Sequence, residues 1–292
     1  MKSLKVLILG ADGYTCQIPR IKEGMKSLGH ILSNDSPDLI YSNDPKGYDE
    51  ALTLKKKYPN AYLILNFLDI PWHLPNIEKQ TELLVKKYFS KADAVSTISL
   101  KVKKDLTKFF DKKIHVIYNP IKDIYYNESI KKNNLFLYVG RASDPIKRFD
   151  LVHKSLSMRK DGINNLKVCG AKDPGIGNYM GMVKDDELNI LYNSSKYVLL
   201  PSKAEGLGLP MIEGMVCGAI PITCKDNLTA KEFSPPNFIC DPNPQSLVNK
   251  INDLDKEYDI QRNLALKFGK KYKIQFDKKT IVKNILDMFN SK

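Results

Sequence analysis

Short apolar runs alternate with longer amphipathic stretches along almost the whole chain, and this alternation restricts the fold more than any other feature. Strands of a parallel sheet are buried on both faces and read as brief runs of Val, Ile and Leu. Each is joined to the next by a crossover, usually a helix. An α/β fold built on parallel sheets is therefore expected. A first series places strands over 4–9, 38–41, 61–66, 94–98 and 114–118. The pattern stops at Asn119 and Pro120, and 122–134 is polar without a clear period. A second series follows over 135–139, 166–169, 197–200, 219–223 and 238–240. The reading is two Rossmann-like domains, 1–121 and 122–274, with a linker in 122–134. A last helix, about 275–292, presents Ile281, Ile285, Met288 and Phe289 on one face and can pack back on the first domain. At 292 residues the chain can support two full cores.

Ligands of such sheets bind outside the carboxyl ends of the strands, and two sheets facing each other enclose a central cleft. The segments that follow predicted strands are thus the places to look for chemistry. After 135–139 comes Gly140-Arg141, then Asp144-Pro145 and Lys147. Two cations held at one strand end suit a diphosphate, whose charge they stabilise without a metal. For either residue alone a plain surface position is the commoner explanation. After 197–200 comes Glu205-Gly206-Leu207-Gly208-Leu209, with Pro210 at the expected start of a helix and Glu213 expected in its first turn. Backbone N–H groups at a helix start receive anions, and two carboxylates there can accept hydrogen bonds from sugar hydroxyls. Glu213 also has a bland explanation, since acids favour first turns anyway. Gly170 ends the strand 166–169 and permits close approach to a base. Gly10 and Gly13 follow the first strand; the third glycine of a dinucleotide fingerprint is missing, yet both permit backbone contact with a ligand.

Other classes fit less well. The five cysteines form no C-x-x-C pair and the four histidines show no zinc spacing, so reduced thiols and no metal cofactor are expected. The apolar run near the amino end stops at Gly10, short of a signal core, and no run reaches the roughly 18 to 20 residues of a membrane span, so a cytoplasmic location is expected. The net charge of +13 is spread over both halves, which argues against nucleic acid as a partner. Lys86, Lys87, Lys101, Lys103, Lys104, Lys108, Lys112 and Lys113 fall on two consecutive predicted helices, a pattern suited to a peripheral contact with an anionic membrane. The string Asp253-Leu254-Asp255 lies in a polar helical stretch and reads as a solvated face rather than a metal motif.

The succession GRASDPIKRFDLV, NLKVCGA and GMVKDDELNILYNSSKYVLLPSKAEGLGLPMIEGMVCGAIPIT resembles the donor half of glycosyltransferase family 4. The resemblance implies a GT-B fold and retaining transfer without a metal. The leaving phosphate would take the acceptor's proton during attack on the same face of the sugar. In that family a G-R-(x)5-K element binds the diphosphate and an E-(x)7-E element grips sugar and ribose. Arg141 with Lys147, and Glu205 with Glu213, stand at those spacings. The form GRASDPIK is similar to that of phosphatidylinositol mannosyltransferases, which implies GDP-mannose ahead of a UDP-sugar. The acceptor it implies is a glycan or a lipid-linked glycan. The first half matches more loosely, through ADAVSTIS and IHVIYNPI. Many members carry His-Asp after the acceptor-side strand; here Asp69 matches the aspartate and Leu68 stands where histidine is expected. Asp69 and His73 are the candidates for positioning an acceptor. The competing functions are a nucleotide-sugar or glycan binding module without turnover, and a sugar-nucleotide epimerase.

Overall fold

The computed structural model describes residues 2–10, 17–70 and 74–291. The chain divides into two compact units, Met1–Pro120 with Gln275–Lys292, and Ile121–Ile274. The first runs β1 (Lys5–Leu9), α1 (Gln17–Ser27), β2 (Ile31–Leu32), β3 (Leu39–Ser42), α2 (Tyr48–Lys57), β4 (Tyr62–Phe67), α3 (Ile77–Tyr88), β5 (Ala94–Thr97), α4 (Leu100–Leu106) and β6 (Ile114–Val116). Its strands form one parallel sheet in the order β2-β1-β3-β4-β5-β6. The second runs β7 (Asn133–Val139), α5 (Phe149–Ser157), β8 (Leu166–Cys169), β9 (Asn178–Gly181), α6 (Asp185–Ser194), β10 (Ser195–Leu200), α7 (Leu209–Val216), β11 (Ile220–Cys224), α8 (Leu228–Phe233), β12 (Ile239–Cys240), α9 (Pro244–Lys256) and α10 (Tyr258–Gln275). Its sheet, also parallel, is ordered β12-β11-β10-β7-β8-β9.

The final helix, α11 (Lys278–Asn290), belongs to the first unit. Asp277 caps it by accepting from the backbone N–H of Lys279 and Thr280, so it begins on a defined residue. Its buried face, Ile281, Val282, Ile285, Leu286 and Met288, completes a core with Val6, Ile8, Ile18, Ile21, Met25, Leu39, Tyr41, Ile64 and Ile117. At Gly24 of α1 a Cβ would stand 2.7 Å from Val282 and 2.8 Å from the Lys278 carbonyl, so a glycine is required for α1 and α11 to approach this closely. Phe289 adds an edge-on contact with Tyr62.

In the second sheet Leu137 pairs with Val198, so Val198 and Tyr138 point to opposite faces. Gly214 of α7 lies against the first, and Phe149 of α5 packs on the second.

Two expectations change. The stretch 121–132 is irregular but is not a free linker. Tyr125 is buried against Tyr192, Lys122 pairs with Asp185, and Lys273 donates to the carbonyls of Lys122, Asp123 and Tyr125. Side-chain packing and charge, not backbone pattern, tie it to the second unit. The Asp253-Leu254-Asp255 string is helical, within α9, but Asp255 is not solvated. It accepts from Tyr197 Oη at 2.8 Å and pairs with Lys196 at 3.2 Å and Arg159 at 3.3 Å, fastening α9 to the sheet.

Candidate functional site

The carboxyl edge of the second sheet gathers most of the residues singled out from the sequence. The chain leaves β7 at Val139, and Gly140 is still held to its neighbour strand through Gly140 N–H to Cys169 O. Asp144 then caps a short turn, accepting from Ile146 N, with Pro145 at the first turn position. Arg141 Nη2 meets Asp144 Oδ2 at 2.8 Å, and the arginine side chain is 66% exposed. Burial opposes charge on Asp144. The Ile146 N–H and the Arg141 guanidinium outweigh it and hold the carboxyl below its usual range.

Lys147 turns inward. Its Nζ lies 2.7 Å from Glu205 Oε1, with the two side chains 19% and 11% exposed. Residues 58 positions apart are thereby joined in one ion pair. The loops that carry them are tied independently: Lys203 N–H donates to Ile146 O at 2.8 Å, and Thr229 Oγ1 donates to Glu205 O at 2.6 Å.

Beyond Glu205, Gly206 is half-buried, Leu207 is buried, and Gly208 precedes α7 in the left-handed conformation at φ 76° with no side-chain cap. A Cβ on Gly208 would meet Leu200, Met211 and Glu205, the last at 3.8 Å from its Cγ. This glycine lets the chain reverse into the helix beside Glu205. The helix begins at Leu209, one residue earlier than expected, so Glu213 is its fifth residue and has no place in the first turn. The glutamate is 6% exposed, and its Oε2 accepts from Tyr192 Oη at 3.0 Å. Lys147 and Glu205 are thus brought together, Arg141 stands at the rim with Asp144, and Glu213 is buried against α6. Gly170 has a structural reason: a Cβ there would lie 2.2 Å from the Gly140 carbonyl oxygen.

Sequence reasoning missed three groups in this unit. Arg148 forms a bidentate pair with Asp226, at 2.9 and 2.6 Å, clamping the start of α5 to the loop after β11. Lys132, 9% exposed, donates to Tyr192 O at 2.9 Å and Cys217 O at 2.8 Å, capping the carboxyl ends of α6 and α7 at once. Burial pushes its pKa down to about 7. Tyr138 Oη, Ser202 Oγ and Thr223 Oγ1 are buried hydroxyls with no hydrogen-bond partner among the described residues. Only the strand positions of Tyr138 and Thr223 were legible, because partners in a hydrogen bond are set by tertiary approach.

In the first unit Gly10 follows β1 at φ 129°, and a Cβ would lie 2.9 Å from Asp44 Oδ2. Asp69 accepts from Ile70 N at 2.8 Å and pairs with Lys101 Nζ at 2.8 Å. Lys101, 8% exposed, also reaches Asp105 at 3.3 Å, so it leaves the surface cluster to which it was assigned. Lys108, Lys112 and Lys113 lie past the end of α4 at Leu106 rather than on it. Gly13 and His73 fall outside the described residues. Among the described residues, no group of three or more His, Cys, Asp or Glu side chains is placed to hold a metal ion. No described helix is long and apolar enough to cross a membrane.

Residues 123–273, more than half of the chain, match the family Glycosyl transferases group 1. The O-antigen chain mannosyltransferase RfbU of Salmonella typhimurium is 31% identical over 149 residues, 45% of this chain and 42% of that protein. The match therefore spans less than half of that relative's length. An uncharacterized glycosyltransferase of Methanocaldococcus jannaschii is 27% identical over 285 residues, covering 85% of this chain and 73% of its own. Among solved structures, Anabaena HepE in complex with UDP-glucose superposes with a TM-score of 0.78 at 17% identity, over 99% of this chain and 100% of that one. The two parallel six-stranded sheets and these matches together establish that the chain has the GT-B fold and belongs to the Glycosyl transferases group 1 family.

Proposed function

We propose that the protein is a retaining hexosyltransferase of glycosyltransferase family 4. It moves mannose from GDP-mannose, or otherwise glucose from a UDP-sugar, to a glycan or lipid-linked acceptor. The observation that carries this reading is the ion pair of Lys147 with Glu205 at 2.7 Å, at the carboxyl edge of the second sheet and beside the start of α7. One cation and one carboxylate held together there suit a nucleotide-sugar, with the ammonium on the diphosphate and the carboxylate on sugar hydroxyls. Arg141, exposed at the rim, is free to swing from Asp144 toward the same phosphates. Glu213, Gly140, Gly170 and the 206–209 backbone are assigned to the donor side by the same resemblance. Asp69, which pairs with Lys101, is assigned to positioning the acceptor, and Gly10 to backbone contact with the donor. Positioning and charge stabilisation are the demands of such a transfer, and fixed cations meet them without a metal cofactor.

Mannose is favoured by the GRASDPIK segment and by the mannosyltransferase RfbU among the relatives. The UDP-glucose bound by HepE supports the second donor. The net charge of +13 supports peripheral contact with an anionic membrane from the cytoplasm.

Calorimetric titration with GDP-mannose and UDP-glucose, together with nucleotide release in the presence of EDTA, tests the reading. Lys147→Ala and Glu205→Ala should each slow release by about 100-fold, the usual loss on removing one electrostatic contact to a developing charge. Retention predicts that the first sugar anomer seen by NMR keeps the donor's configuration. Unchanged affinity and turnover in both variants overturns the site. Binding without any release favours the non-catalytic module.

A further inference from the structure

Among the described residues, four that are not glycine adopt a positive φ: Ser36, Asn76, Ser129 and Arg148. Three carry short polar side chains; the fourth is a long arginine at φ 50° and ψ 45°, in the left-handed region. A residue with a Cβ is strained there and keeps the conformation only where its surroundings hold it. Here the guanidinium supplies the hold. Arg148 donates to both Asp226 carboxylate oxygens, at 2.9 and 2.6 Å, with both side chains partly buried. Asp226 stands on a fixed segment in turn. Its neighbour Asn227 donates its N–H to Cys224 O at 3.0 Å, at the end of β11, and accepts through its side chain from Thr229 N–H and Ala230 N–H.

Arg148 directly follows Lys147, whose ammonium lies 2.7 Å from Glu205. Three segments close a ring around that pair. Residues 146–148 are joined to 203–205 by Lys203 N–H to Ile146 O at 2.8 Å, and to 226–229 by Arg148 and Asp226. The third side is Thr229 Oγ1 to Glu205 O at 2.6 Å. We propose that Arg148 and Asp226 are positioning residues of the donor site: their ion pair holds residue 148 left-handed and so aims the Lys147 ammonium at the bound diphosphate. This rests on the donor-site reading above. The pair acts through Lys147 rather than by touching the donor. Released from Asp226, an arginine returns to negative φ, and the chain leaves Lys147 in a different direction. Only the fraction of molecules that keeps the left-handed turn then binds at full strength.

Glycine takes either sign of φ without steric cost, so it separates backbone conformation from charge. Calorimetric affinity for GDP-mannose or UDP-glucose, whichever the protein binds, should fall about 10-fold in Arg148→Ala and in Asp226→Ala, the population lost when the left-handed state is no longer held. Arg148→Gly deletes the same ion pair, yet should stay within about 3-fold of the wild type. Added to Asp226→Ala, it should restore the affinity that Asp226→Ala alone loses. Should Asp226→Ala fail to fold, Arg148→Ala and Arg148→Gly carry the comparison, since both keep the aspartate. An ion pair that serves only stability predicts the same loss in Arg148→Gly as in Arg148→Ala, and that result overturns the proposal. Unchanged affinity in Arg148→Ala while Lys147→Ala binds weakly refutes the positioning role and leaves the donor site standing. Unchanged affinity in Lys147→Ala removes the donor site and this proposal together.

Discussion

Raising the pH from 7 to 8.5 should stabilise the second unit through a single buried side chain. Lys132 lies beneath α6 and α7 with its ammonium on two carbonyl oxygens, and burial lowers its pKa from 10.5 to about 7; Cys217, Arg262 and Glu128 are the ionisable groups around it. Below 7 the amine is protonated whether the chain is folded or not, and stability has no slope from this group. Between about 7 and 10.5 the unfolded chain binds a proton that the folded one has released, so stability rises with pH. The full interval corresponds to roughly 5 kcal/mol, and the steepest slope is about 1.4 kcal/mol per pH unit. Cys217, whose thiol burial pushes up to about 12, acts in the opposite sense above about 9, which fixes the window for measurement. Urea unfolding followed by circular dichroism at pH 7, 7.5, 8 and 8.5 should show the wild type gaining on Lys132→Met, which keeps the volume and cannot titrate. Parallel pH dependences for the two proteins would mean that the amine stays protonated in the fold, and the reasoning from burial would fail.

Two further outcomes follow from close packing. Ile285→Ala removes a fully buried side chain from the core that α11 completes, and should cost about 2 to 5 kcal/mol in urea unfolding of the first unit. Gly170→Ala forces a Cβ to within 2.2 Å of the Gly140 carbonyl, so it should cost about 1 to 3 kcal/mol and weaken nucleotide binding by displacing the Arg141 segment.

Patterned hydrophobicity made the architecture legible, and it failed where that pattern is short or exposed. Ile31–Leu32 is a two-residue strand at a sheet edge, and Asn178–Gly181 alternates between half-buried and exposed positions without an apolar run. Neither is marked by composition. At the site, the strand ends and glycine turns were readable because local sequence encodes them. Glu213 was misplaced because the helix starts at Leu209 and the residue is drawn under it by Tyr192, 21 positions away. Lys101 was read as a surface lysine because its two carboxylate partners, Asp69 and Asp105, are brought to it by the loop after β4 and by its own helix. Asp255 likewise became structural through Tyr197 and Arg159. In each case charge and spacing were visible, and the partner was not.

The placement of α11 also orders events in time. Residues 278–290 fill the core beside Val6, Ile8 and Met25, yet they are translated after every residue of the second unit. On the ribosome the second unit, contiguous in sequence over 121–274, is complete before α11 is made, whereas the first sheet, with all its strands within 5–116, still lacks that helix. The earlier half of the nascent chain must wait, its apolar face open, until α11 emerges to close it. That interval is when the first unit is most exposed to misassociation, and when a chaperone would have most to gain by holding it.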